Sequence, residues 1–213
     1  MPATTLQELF VEELRDIYDG EKRLLRALPK MAKAAESSVL QHAFTMHTRE
    51  TERQVSRLEQ VFRSLGEKPR GKKCDGIMGI VEEGNKAIQE IDEGPVLDAA
   101  LIAGAQKAEH YEIASYGTLA YFADMLGNER AKDLLGATLD EEKAADEKLN
   151  QIAKSKVNRD ALMGDDEMEE EEEVGTSFTT PRTRRAGSSM GWANDREAGP
   201  RPSSRKRSSR SRR

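Results

Sequence analysis

Along the first 160 residues, apolar side chains recur at steps of three and four, the spacing of one face of an α-helix. Between residues 5 and 35 the stripe runs through Leu6, Leu9, Phe10, Leu14, Ile17, Tyr18, Leu24, Leu25, Leu28 and Met31. Thr4 or Thr5 is placed to cap its start, with Glu8 in reach for a capping box. Pro29, which has no N–H, is expected to bend this helix or break it late. A second stripe over 38–65 carries Leu40, Phe44, Val55, Leu58, Val61, Phe62 and Leu65. Gly66 stands where a helix closes on a left-handed residue. The segment GEKPRGKK reads as a loop, and 77–91 as a shorter helix weakened by Gly79 and Gly84. Gly94-Pro95 restarts the chain into a third long helix over 95–126, closed by Gly127; a fourth covers 129–157. Four long amphipathic helices with one longer connection predict an all-α four-helix bundle, with an additional short helix in the crossover.

Every long stripe is interrupted near its middle by acid. Glu21 falls between Ile17/Tyr18 and Leu24/Leu25; His47 and Glu50 fill the gap between Phe44 and Val55. Glu109 and Glu112 sit between Ala105 and Ile113/Tyr116, and Glu142 and Asp146 between Leu139 and Leu149. One such residue on one helix is ordinarily solvated. Interruptions at matching heights on four helices face each other across a core, where a lone carboxylate costs several kcal/mol. No Lys or Arg occupies these stripes between the apolar flanks, so a metal ion is the better neutraliser. A site with one nitrogen and many oxygens suits hard ions such as Mn or ferric Fe and weakens a case for Zn or Cu. His42 and His110 lie off the stripes, Glu82 and Glu83 read as solvated, and Tyr18, Tyr111 and Tyr116 read as packing residues.

The segments ALIAGAQKAEHYEIASYGTLAYFADMLG and LLGATLDEEKAADEKL, with the opening LQELFVEELRDIYDGEKRLLRALPKMAKAA, resemble the YciE/YciF family of bacterial stress proteins over about 4–158. The resemblance implies a ferritin-like bundle that tends to dimerise. In ferritin-like proteins at large, a dinuclear Fe or Mn centre draws one Glu from each of two helices and Glu-x-x-His from the other two. By that analogy Glu50 and Glu142 are terminal or bridging ligands, Glu21 and Glu109 complete the pair, and Glu112, His47 and Asp146 fill the remaining positions. The sequence departs from the wider pattern. His47-x-x-Glu50 has the order reversed, Arg53 stands where a ligand would follow, and the fourth helix has no His.

Composition adds two things. Residues 160–213 hold 11 basic and 11 acidic residues, segregated into an acidic run, Asp165 to Glu173, and an Arg/Ser-rich basic segment. Such blocks bury too little apolar surface to offset chain entropy, so 161–213 is expected to be a disordered tail behind a folded unit of 1–160. SSRKRSSRSRR could engage phosphates without sequence preference, although only Trp192 lies near for base stacking, and a self-neutralised tail is the favoured reading. The mean hydropathy of -0.76, with no run of eighteen apolar residues, excludes a membrane span. Met1 to Phe10 does not read as a secretory leader, and the single Cys74 excludes an internal disulfide; both fit a cytoplasmic location. The function expected is a metal-binding stress-response protein, with a dinuclear site acting on iron, oxygen or peroxide. The alternatives are a non-enzymatic dimeric structural protein, or nucleic-acid binding by the tail. Ligand pattern does not reveal turnover, so whether the protein is an enzyme stays open here.

Overall fold

The stripes become five helices: α1 (Leu6–Ala34), α2 (Ser38–Ser64), α3 (Asp75–Glu90), α4 (Pro95–Met125) and α5 (Glu129–Ile152). This computed structural model describes residues 3–163. The acidic run and the basic segment lie outside the described residues, as do the expectations of disorder and nucleic-acid binding attached to them. After α5 the backbone widens into a π-helical turn, Ala153–Val157, and helix continues through Met163. No helix among the described residues is long and apolar enough to cross a membrane.

Local chemistry sets the helix ends. Thr5 caps α1: its hydroxyl accepts from the Glu8 N–H, and the Glu8 carboxylate accepts from the Thr5 N–H, both at 3.2 Å. Gly66 and Gly127 take φ of 71° and 70°, and each opens a Schellman closure. Glu67 N–H reaches the Phe62 carbonyl, and Asn128 N–H the Ala123 carbonyl, both at 2.9 Å. Asn128 also caps α5 by accepting from the Ala131 N–H. Helix α1 does not break at Pro29 but continues to Ala34. Leu28 and Met31 on that turn are both buried, and their packing offsets the missing backbone bond.

The three-residue turn 35–37 makes α1 and α2 antiparallel. The crossover then returns along the bundle, tied to α1 by Lys72 N–H to the Arg15 carbonyl and by Cys74 N–H to the Asp19 carboxylate. It delivers the start of α4 beside the α1–α2 turn, where the buried Asp98 accepts from the N–H groups of Glu36 and Ser37 at 2.9 and 2.8 Å. So α2 and α4 run parallel, and α5 returns antiparallel to both. Helix α1 packs on α2 and α4, α5 packs on α4 and α2, and α3 lies outside against α1 and α4. This is a four-helix bundle with one long crossover, as in ferritin-like folds. Its core falls into two apolar halves. One is built around Leu28, Leu40, Phe44, Leu101 and Leu149, the other around Phe10, Leu14, Leu58, Phe62, Leu119 and Leu135. Between them lies a polar layer.

Candidate metal centre

The seam of each helix advances by alternate steps of three and four, and the polar layer is the level at which all four seams turn hydrophilic. On α1 the step from Ile17 to Leu24 passes through Glu21. On α2 it passes through His47, Thr51 and Gln54, on α4 through Glu109 and Glu112, and on α5 through Thr138 and Glu142. All of these are buried, with Glu21 and Glu142 fully enclosed. Apolar packing above and below holds their backbones in place, which fixes the side chains in the bundle axis.

Four of them converge. One ligand atom from each of His47, Glu109, Glu112 and Glu142 lies within 4.8 Å of every other. His47 Nε2 stands 3.2 Å from Glu109 Oε1 and 3.7 Å from Glu142 Oε2. Its other nitrogen, Nδ1, is 3.3 Å from Glu50 Oε2, a contact that orients the ring. Glu21 lies alongside, accepting a hydrogen bond from the Tyr116 hydroxyl through Oε1. Glu50 is half-buried and reaches the cluster through His47. Asp146 is not gathered in. It sits at the α4–α5 flank, with Gln106 and Asn150 donating to it and His110 Nε2 at 3.5 Å. Thus His110, although off the stripe, meets an acid of the sequence-predicted set.

The electrostatics are those of crowded acids out of water. Burial pushes Glu21 up to about 8, reinforced by the charge of Glu142. Glu109 rises to about 7, again mainly by burial. For Glu142 burial and its contact with Glu109 bring it to about 9. Glu112 is raised well above the usual carboxylate range by burial, then by Glu21, Glu142 and Glu109. Burial alone would depress His47, but the Glu50 hydrogen bond and the charges of Glu142 and Glu21 outweigh it and raise its pKa. Glu50 moves the other way, held low mainly by His47. As ionised groups, five buried oxygens lack any protein donor: Glu21 Oε2, Glu109 Oε2, Glu112 Oε2 and both oxygens of Glu142. Buried acceptors without partners are costly, and a cation or shared protons are the two ways to satisfy them. The donor set, one imidazole with several carboxylates, fits a hard metal ion.

Sequence reasoning missed Tyr116 as a partner of Glu21, reading it as packing alone. It does pack, fully buried in the half-core built around Phe10 and Leu119, and its hydroxyl also bonds Glu21 of the polar layer. Gln54, Thr51 and Thr138 escaped notice too. Their signal was present, because each sits on a seam step where an apolar residue belongs. Below the cluster, Arg57 grips Glu141 with two bonds of 2.6 and 2.7 Å and closes the α2–α5 side.

Comparison with known proteins places the chain. Residues 5–162 match DUF892, a domain of unknown function, and the chain belongs to that family. It is 46% identical to Protein YciF of Escherichia coli K12 over 162 residues, covering 76% of this chain and 98% of that one. The crystal structure of the E. coli stress protein YciF superposes with a TM-score of 0.71 at 46% identity, over 73% of this chain and 99% of that one. YcfI of Rhodopseudomonas palustris, described as a candidate structural protein, gives 0.69 at 45% identity, over 70% and 96%. The resemblance read from the sequence therefore holds.

Proposed function

We propose that this member of the family is a ferritin-like, metal-binding stress-response protein whose polar layer holds iron or manganese, with a dinuclear centre as its full complement. What carries the reading is the convergence of four donor-less buried carboxylate oxygens, from Glu109, Glu112 and Glu142, around one imidazole, with a fifth on neighbouring Glu21. His47, Glu109, Glu112 and Glu142 hold the first ion. Glu21, beside Glu112, and Glu50, on the far nitrogen of His47, are the remaining carboxylates from which a second ion would draw. Asp146 is a further acid at the flank. A redox ion bound there supplies electron transfer toward iron, oxygen or peroxide. The protein's part is to hold it in fixed geometry and to keep bulk water out. The stress role rests on the description of the E. coli relative. A homodimer follows the family resemblance and is tested by light scattering of the purified full chain.

The experiment is anaerobic loading of the full chain with Fe(II), followed by admission of air while ferric absorbance is recorded. Retention of iron by the parent and its loss in Glu109→Gln are expected. A parent that retains neither iron nor manganese overturns the reading. A second reading, a structural protein without metal, draws on the raised carboxylate pKa values, which let protons neutralise the layer. In that case Glu109→Gln and the parent carry equally little metal.

A further inference from the structure

A cavity of about 30 Å³ opens between α1, α3 and α4 and ends on His47, Glu109 and Glu112. Its walls are mostly carbon, with Leu28 and Met31 from α1, Leu101 from α4 and Ile88 from α3, and Asn85 of α3 is the one polar side chain away from the His47, Glu109 and Glu112 end. Two glycines complete it, Gly84 on α3 and Gly104 on α4. Each sits inside a helix, where glycine costs roughly 1 kcal/mol relative to alanine. Neither is required by crowding, because a Cβ built on Gly84 or Gly104 meets no atom within 4 Å. What the two glycines leave is space. Most apolar residues of α3 are only half-buried, so the helix acts as a loose outer wall.

Size and polarity select the occupant. One water needs roughly 10–15 Å³ of such volume, so the cavity takes a molecule of about two heavy atoms. Wholly apolar cavities stay dry and take up apolar gases; here the carbon-walled stretch has that character, while the acid end offers polar partners to a water. A second, similarly small cavity reaches His47 and Glu109 from the opposite side, between α2 and α5. It is bordered by Glu50 and Lys148 and therefore suits polar or charged species. We propose that the α1–α3–α4 cavity is a binding site for dioxygen, holding it against the carboxylate and imidazole end of the polar layer. As a functional site this rests on the metal-binding reading above; as a gas-binding cavity it stands on its own walls.

The test uses dioxygen itself as a paramagnetic probe. The full chain, stripped of metal with chelator, is placed under oxygen pressure and methyl relaxation is measured by NMR. Methyls of Leu28, Met31 and Leu101 are expected to relax faster than buried methyls of the other half-core, such as Leu14, Leu58 and Leu135. Gly104→Leu fills the cavity and should abolish that excess. Gly79→Leu, on α3 but outside the cavity, should keep it. A uniform enhancement in the parent overturns the proposal whether or not any variant folds, as does an excess that survives in folded Gly104→Leu. Metal content is measured on the same preparation before stripping. Iron-loaded protein without the excess sinks the cavity proposal alone, whereas the excess in a chain that binds no metal supports the cavity and sinks the metal reading.

Discussion

At the scale of single residues, the carboxylates of the polar layer tie stability to pH in a direction opposite to that of ordinary surface acids. With no metal bound, Glu21, Glu109 and Glu142 titrate near 8, 7 and 9 when folded, against 4.5 for the unreacted side chain. Between pH 4.5 and about 9 the folded chain therefore holds protons that the unfolded chain has released. Stability falls as pH rises wherever the native state binds the extra protons. His47, raised as well, contributes with the same sign. Metal-free protein is thus expected to melt at a lower temperature at pH 8 than at pH 5, and the metal-loaded protein should recover the loss at pH 8. Chelated and loaded samples melting together at pH 8 would show that no ion shares the layer. Glu142→Gln keeps the volume and removes one charge, so in chelated protein it should raise the pH 8 melting temperature. Glu83→Gln, on an exposed side chain paired with Lys107, should leave it unchanged. The acids were legible in the sequence because charge on an apolar stripe needs no knowledge of neighbours. The depth of each acid was not, because Asp146 and Glu142 occupy similar stripe positions and only packing decides that Asp146 turns to the α4–α5 flank.

Among the elements, the helices were readable to within a residue or two at most ends, since caps and left-handed glycines are local. Their fastening was not, because it depends on polar atoms brought together from far along the chain. Asp98 had no distinguishing mark in the sequence, yet it is buried and binds both N–H groups of the α1–α2 turn. Asp98→Ala leaves those donors without a partner, and a loss of about 1–3 kcal/mol per unsatisfied group is expected in urea unfolding. An unchanged midpoint would mean that the turn is held by its apolar neighbours alone. The start of α3 is fastened by contact. A Cβ on Gly76 would lie 2.5 Å from Tyr111 Cε2. The Tyr111 hydroxyl donates to Asp16 at 2.7 Å and accepts from Cys74, so the ring has little freedom to move aside. Gly76→Ala is expected to cost about 1–3 kcal/mol by overpacking. Equal stability of parent and variant would show that α3 shifts freely on the bundle. Pro29 went the other way: a strong local breaker lost to the packing of Leu28 and Met31.

For the whole molecule, two apolar half-cores flank an acid layer, so the bundle's apolar packing lies on either side of its candidate metal centre. Both half-cores lie within 10–157, and the E. coli relative is matched over 98% of its length by 76% of this chain. A chain ending at residue 163 is therefore expected to unfold cooperatively at the melting temperature of the full chain, and a drop of several degrees would show that 164–213 supports the bundle. That the bundle exists was legible from periodicity. That its core divides in two at the acid layer was legible only from the matching heights of the interruptions. The most direct test of the account is anomalous X-ray scattering from crystals of the full chain grown with manganese or iron. The account predicts a peak among His47 Nε2 and the carboxylates of Glu109, Glu112 and Glu142, absent from crystals of Glu109→Gln/Glu142→Gln; a map with no peak in the polar layer of the parent would contradict it.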